Sequence, residues 1–279
     1  MNKPAPKKKY DPKRKFRRDA KPGPTKPSEL SKTDVSKVMD ANKPIRLNKY
    51  IANSGMCSRR EADTMIEAGV VMVNGKIITE MGYKVLPTDE VKFGEARIKP
   101  ERMQYVLLNK PKDYITTMDD PQGRKTVMEL VEKACKERVF PVGRLDRATT
   151  GLLLFTNDGD MSKKLTHPSY NVRKVYHVTL AQKVRPEHIE ALLNGFELDD
   201  GFTKADKAEY VKGDTHEVGI EIHSGRNRIV RRMFEYLGYD VQKLDRVIFA
   251  GLTKKDLPRG RHRMLTDQEV AFLKMIGKK

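Results

Sequence analysis

The stretch Phe140-Pro141-Val142-Gly143-Arg144-Leu145-Asp146-Arg147-Ala148-Thr149-Thr150-Gly151-Leu152-Leu153-Leu154-Phe155-Thr156-Asn157-Asp158-Gly159 decides how this chain is read. Its apolar run, Leu152 to Phe155, predicts a central strand. Asn157-Asp158-Gly159-Asp160 predicts a turn after the strand, with a helix from Met161. Asp146 falls in the loop just before the strand, anchored by a rigid element yet reachable, where catalytic side chains are commonly carried. It is a lone carboxylate among bases, Gly143-Arg144-Leu145-Asp146-Arg147, and neighbouring positive charge favours the ionised form that a nucleophile or strong acceptor needs.

A second cluster packs Arg226, Arg228, Arg231 and Arg232 into seven residues. Guanidinium groups at this density favour phosphate-rich partners. At about 100° per residue, Val230, Met233, Phe234 and Leu237 share one stripe of a helix. Arg228 and Arg232 fall opposite, and Arg231 lies on the border, from which its planar fork can reach a partly buried carboxylate. Gly225 frees the backbone ahead of this helix and Gly238 closes it.

The 279 residues carry 56 lysines and arginines against 38 acids, a formal charge of +18. Residues 1–43 hold 14 of those bases, 5 acids and six of the fifteen prolines, with too few apolar residues for a core. They are expected to form a disordered basic tail. The remainder is also basic, which points to RNA or DNA more than to an anionic membrane. No apolar run approaches a membrane span, and no apolar leader segment opens the chain, so a cytoplasmic location is expected. Cys57 and Cys135 are isolated, which excludes a disulfide framework. The six histidines form no metal-ligand spacing, so no metal is expected.

From Pro44 the composition turns globular. Residues 46–52 predict a short helix with Leu47, Tyr50 and Ile51 on one side, ended by Gly55. Ser58 opens a second helix, with Glu61 completing a capping box, Ala62, Met65 and Ile66 on the buried face and Gly69 as C-terminal cap. Asn74-Gly75 inside residues 71–78 predicts a type I′ hairpin. Val85 and the stretch Asp89 to Phe93 add a further strand, and residues 94–103 look like a linker. A buried strand at residues 105–109 begins a second domain. The expected fold is α+β: a small α+β module at 44–103, then a larger domain at 104–279.

Residues 46–93 resemble the S4 RNA-binding domain in their Arg46-Leu47-Asn48-Lys49 start, their Ser58-Arg59-Arg60-Glu61-Ala62 helix and their Val73-Asn74-Gly75-Lys76 turn. The resemblance places Arg46, Lys49, Ser58, Arg59, Arg60 and Lys76 on an RNA surface. Bases at a helix N-terminus oppose the macrodipole, so an external anion gives Arg59 and Arg60 a reason. Beyond them, Gly143-Arg144-Leu145-Asp146, Thr149, the run from Gly151 and Thr156-Asn157-Asp158-Gly159 resemble the signature of RsuA/RluB/RluE/RluF-type ribosomal RNA pseudouridine synthases. Asn109-Lys110-Pro111, Lys174-Val175-Tyr176 and residues 225–233 agree with it. One departure is Asp113 before Tyr114, where the family usually has glycine; aspartate tolerates a left-handed backbone better than most residues.

The resemblance implies a mainly antiparallel mixed sheet and isomerisation of a uridine already in RNA, with large-subunit RNA slightly preferred and no cofactor. Asp146 would act at the ribose, by attack on C1′ or removal of the C2′ proton. Arg231 would pair with Asp146, and Tyr176 would stack on the uracil. Arg144, Arg226 and Arg228 would hold phosphates. The partner would be ribosomal RNA, in a subunit or an assembly intermediate, met by a monomer. The rival expectations are an RNA-binding assembly factor without chemistry and a structural ribosomal protein.

Overall fold

In the computed structural model, which describes residues 43–277, chain folding starts with a strand, β1 (Ile45–Arg46), and two helices, α1 (Leu47–Asn53) and α2 (Arg59–Glu67). The expectation for the basic tail falls outside the described residues apart from Lys43. Leu47, Tyr50 and Ile51 are buried from α1, and Ala62 and Ile66 from α2. Both halves of the capping box form: Glu61 N donates to Ser58 Oγ at 3.3 Å, and Ser58 N to Glu61 Oε2 at 2.6 Å. Strands β2 (Val71–Val73) and β3 (Lys76–Ile77) meet through Asn74 and Gly75 at φ of 50° and 79°, as a type I′ turn requires.

The single further strand expected here is two. Strand β4 (Lys84–Val85) pairs with β1, whereas β5 (Val91–Phe93) pairs with β2. The expected linker also begins late. Ala96–Arg97 forms β6 against β5, and Ile98 is buried in the module's core, its carbonyl accepting from Tyr50 Oη. A buried aliphatic residue within a charged stretch was enough to extend the module.

The second half is built on a nine-stranded sheet, ordered β13-β14-β10-β15-β9-β7-β17 along its main path. These strands are β7 (Tyr105–Lys110), β8 (Phe140–Pro141), β9 (Thr149–Thr156), β10 (Lys174–Leu180), β13 (Lys207–Val211), β14 (Asp214–Ile222), β15 (Val241–Phe249), β16 (Leu252–Thr253) and β17 (His262–Met264). A separate hairpin joins β11 (Phe196–Leu198) to β12 (Gly201–Thr203). Every pairing between named strands is antiparallel except β15 with β9. The fold is therefore α+β on a mixed, mainly antiparallel sheet.

Helices cover both faces of the sheet, which explains the unbroken apolar run. Leu153 and Phe155 of β9 join one core with Val230, Met233 and Phe234 of α5 (Ile229–Tyr236) and Leu192 of α4 (Pro186–Asn194). Leu152 and Leu154 join another with Met161 and Leu165 of α3 (Gly159–Thr166) and Leu273 of α6 (Asp267–Met275). A strand buried on both faces has no polar alternation to display. Helix α3 starts at Gly159, two residues before the expected Met161, because Asp158 serves as its N-cap and accepts from Asp160 N and Met161 N. No helix among the described residues is long and apolar enough to cross a membrane.

Candidate active site

The loop at residues 142–148 joins β8 to β9, and its position is fixed almost wholly through its backbone. Lys110, at the end of β7, is fully buried, and its Nζ donates to Asp146 O at 3.1 Å, Arg147 O at 3.3 Å and Thr149 O at 2.8 Å, as well as to Pro111 O. Thr116 Oγ1 donates to Leu145 O at 2.8 Å and accepts from Leu145 N. Val142 N reaches Leu154 O at 2.7 Å, and Thr149 N turns back to Asp146 O. Asp113 N donates to Arg147 O at 2.9 Å, with Asp113 at φ 70°, so the aspartate does hold the left-handed turn expected of it. Burial pushes the Lys110 ammonium down to about 8, while the charge of Asp146 acts in the opposite sense.

This scaffold presents the Asp146 carboxylate, 39% exposed, to a cleft of about 160 Å³. A cavity of about 150 Å³ admits benzene, so the cleft has room for one six-membered ring. Asp146, Arg144, Tyr176, Arg226 and Arg228 all line it, together with Lys174 and Arg246. Tyr176 enters from β10, 8% exposed. In register it stands opposite Arg246 of β15, which in turn stands opposite Gly151 of β9. A register shift between Val175 and Tyr176 puts an irregularity of the β10–β15 pair at this point, a common device for re-aiming a side chain. Gly151, at φ 105°, lets the parallel pair close: a Cβ there would lie 2.3 Å from Arg246 O.

The expected Asp146–Arg231 ion pair is not the one formed. Arg228 Nη1 lies 3.7 Å from Asp146 Oδ2, while Arg231 Nη1 donates to Val241 O at 2.8 Å. The reason lies in the backbone. The left-handed residue before α5 is Arg228 itself, at φ 47°, and not Gly225. The helix starts later than expected, so Arg228 stands at its N-cap beside the Asp146 loop, while Arg231, on the border of the apolar stripe, is buried against Val241 O of β15. Arg231 is 7% exposed, its Nε and Nη2 have no hydrogen-bond partner, and it does not line the cleft. Burial, then the charge of Arg228, lowers its pKa, and the Asp146 carboxylate opposes that fall.

The other basic positions divide into committed and open ones. Arg226 spends Nη1 on Asp200 O, Asp200 Oδ1 and Gly201 O and Nη2 on Phe202 O, which ties the cleft to the β11–β12 hairpin. Arg232 also holds Asp200. Lys49 pairs with Asp160 at 2.7 Å, linking α1 to α3. Ser58 is engaged as a cap, and Arg59 Nη2 donates to Asn48 Oδ1 at 3.2 Å. Arg46, Arg60, Lys76 and Arg144 are exposed and make no side-chain hydrogen bond or ion pair among the described residues.

Two cations of the cleft carried no expectation. Lys174 is 9% exposed, and its Nζ donates to Val172 O, His223 O and Ser224 O; burial and then Arg246 push it down to about 8. Arg246 is 3% exposed and packs its guanidinium 4.4 Å over the Phe249 ring. Their partners are backbone carbonyls and a ring face, which leave no pairing signal in the sequence. Lys110 is the third such residue; it and Lys174 were quoted only as parts of motifs, with no role of their own.

An anchored, partly exposed aspartate, a strand tyrosine and buried cations thus line one cleft with room for a six-membered ring. Residues 104–236 match the family described as RNA pseudouridylate synthase, and residues 45–91 match the S4 domain. The "Ribosomal large subunit pseudouridine synthase B" of Bacillus subtilis is 40% identical over 236 residues, covering 83% of this chain and 96% of that one. The "Dual-specificity RNA pseudouridine synthase RluF" of Escherichia coli K12 is 38% identical over 232 residues, covering 82% and 78%. A solved pseudouridylate synthase superposes with a TM-score of 0.59 at 31% identity, covering 82% of this chain and 99% of that one. The chain belongs to the RNA pseudouridine synthase family, and it is an isomerase carrying an S4 RNA-binding domain.

Proposed function

We propose that this enzyme isomerises a uridine of ribosomal RNA, with large-subunit RNA the preferred substrate, and that Asp146 carries the reaction. The observation behind this reading is the meeting of Asp146 and Tyr176 in one ring-sized cleft. The Bacillus subtilis relative's name supports the large-subunit choice.

The target uridine leaves its stack at a cost of a few kcal/mol and enters the cleft. Asp146 acts at the sugar, attacking C1′ or taking the C2′ proton, while the N1–C1′ bond breaks. The freed uracil turns and C5 bonds to C1′, as the Asp146–C1′ bond breaks on the first route or the C2′ proton returns from Asp146 on the second; C5 then gives up its proton and N1 gains one. Both routes need an ionised carboxylate. Arg228, 3.7 Å from Asp146, and Arg231, buried nearby, place positive charge beside it. Tyr176 supports the base by stacking, its hydroxyl serving the C5 proton. Arg144 and Arg228 hold phosphates at the rim, with Arg226 fixing that rim through the hairpin.

Residues 44–103 act as the RNA-docking module, through Arg46, Arg59, Arg60 and Lys76, and 104–279 as the catalytic domain. Lys49 serves the junction between them and Ser58 the fold of α2. The protein works as a cytoplasmic monomer on a ribosomal subunit or its precursor, with the basic segment 1–43 as an electrostatic tether. Release of tritium from RNA labelled at uridine C5 tests the reading. The wild type releases it, and Asp146→Asn binds the same RNA but loses release at least about a thousandfold. Equal release by the variant removes Asp146 from its role. No release by the wild type from any ribosomal RNA leaves a binding protein instead.

A further inference from the structure

Among the described residues, the Arg246 side chain makes a single hydrogen bond, from Nε to Leu152 O at 2.8 Å. Its Nη2 is sealed from solvent without a partner, and no bond runs from Nη1. No acid pairs with it, and its other neighbour is the Phe249 ring. Leaving guanidinium donors unmet in the interior is costly, commonly 1–3 kcal/mol or more per group. The contrast with Lys174 is informative, because that ammonium, equally deep in the same cleft, spends its donors on three carbonyls. Arg246 lines the cleft beside Tyr176, its cross-strand neighbour, whereas the exposed Arg144 and the half-exposed Arg228 stand at the rim.

We infer that Arg246 is a base-reading residue: the N–H groups of Nη1, the terminal nitrogen that is neither paired nor sealed, donate to a carbonyl of the target uracil. Depth favours the base over a phosphate, since the strand's phosphates remain with the rim arginines while the ring goes to the floor. The chemistry of the reaction favours it too. Uracil is nearly symmetric about the line through N3 and C6, and the turn that exchanges N1 with C5 also exchanges O2 with O4. A donor facing one carbonyl position therefore meets an acceptor both before and after the turn. Cytosine would offer an amino group in one of the two orientations, set against a donor that cannot accept. One residue would thereby hold substrate and product orientations and exclude cytidine.

This inference rests on the proposed uridine chemistry, and the test separates the two. Wild type and Arg246→Gln are assayed on one RNA carrying uridine, 2-thiouridine or 4-thiouridine at the target, sulfur being the poorer acceptor. Pseudouridine formation from the unmodified RNA tests the underlying activity alone. The inference expects at least one sulfur substitution to slow the wild type by about tenfold, in line with a hydrogen bond to a charged donor. The same substitution should have little further effect in Arg246→Gln. Should that variant fail to fold, Arg246→Lys, which keeps the charge but not the fork, carries the comparison. A wild type indifferent to both sulfurs overturns the inference. So does a variant with an undiminished sulfur penalty and only a weaker, less salt-dependent affinity, which assigns Arg246 to a phosphate.

Discussion

Gly151→Ala isolates the one parallel contact of the sheet. Glycine there sits at φ 105°, and an added methyl would lie 2.3 Å from Arg246 O, 2.6 Å from Arg246 N and 2.6 Å from Asp245 Oδ1. Backbone strain at such a φ costs about 1–3 kcal/mol. Relieving an overlap with main-chain atoms, which cannot swing aside, adds about 1–3 kcal/mol. The variant should lose about 2–6 kcal/mol, read as a fall in the denaturant midpoint at constant slope. The same displacement separates the Asp146 loop from the β10–β15 pair, so pseudouridine formation should fall further than stability alone explains at temperatures where the variant remains folded. Stability within about 0.5 kcal/mol of the wild type, together with full activity, would refute the account of Gly151 as the residue that lets β9 close on β15.

Lys110→Met, similar in length but without donors, should cost about 2–4 kcal/mol in unfolding free energy, because several buried carbonyls lose a charged donor together. Lys110 and Lys174 are both held down to about 8 from 10.5, so the folded chain releases these protons before the unfolded chain does. Their charged forms are a burden below about pH 8, and that burden lifts as the pH rises towards 10.5. In urea titrations, the deficit of Lys110→Met should therefore widen from pH 7.5 to 9.5, by on the order of 1 kcal/mol per pH unit; an unchanged deficit contradicts the shift. Arg60→Ala should weaken RNA binding across sequences and reduce the slope of log affinity against log salt by about one, with kcat untouched. An unaltered slope would take Arg60 off the RNA surface.

Features governed by local backbone chemistry could be read from residue types alone. Ser58 with Glu61, Asn74 with Gly75, and the tolerance of Asp113 for positive φ each depend on a few neighbouring residues, and each appears in the structure. The separation of β4 from β5 could not be read that way, since it depends on β1 and β2 as distant partners. The exchange of Arg228 for Arg231 beside Asp146 had a different origin. A helical projection presumes where the helix begins, and arginine gives no sign that it will take a left-handed conformation. Lys110, Lys174 and Arg246 stayed hidden because the groups they serve are carbonyls and a ring face, which every sequence contains.

Lys110 and Thr116 grip the Asp146 loop by its peptide groups, and neither holds a side chain of that loop. The chassis is thus separate from the fittings mounted on it. Exchanges at Arg144, Arg147 or Ala148 can alter which RNA contour is welcomed while the carboxylate keeps its station. A lineage built this way can wander among target sites without having to reinvent its chemistry.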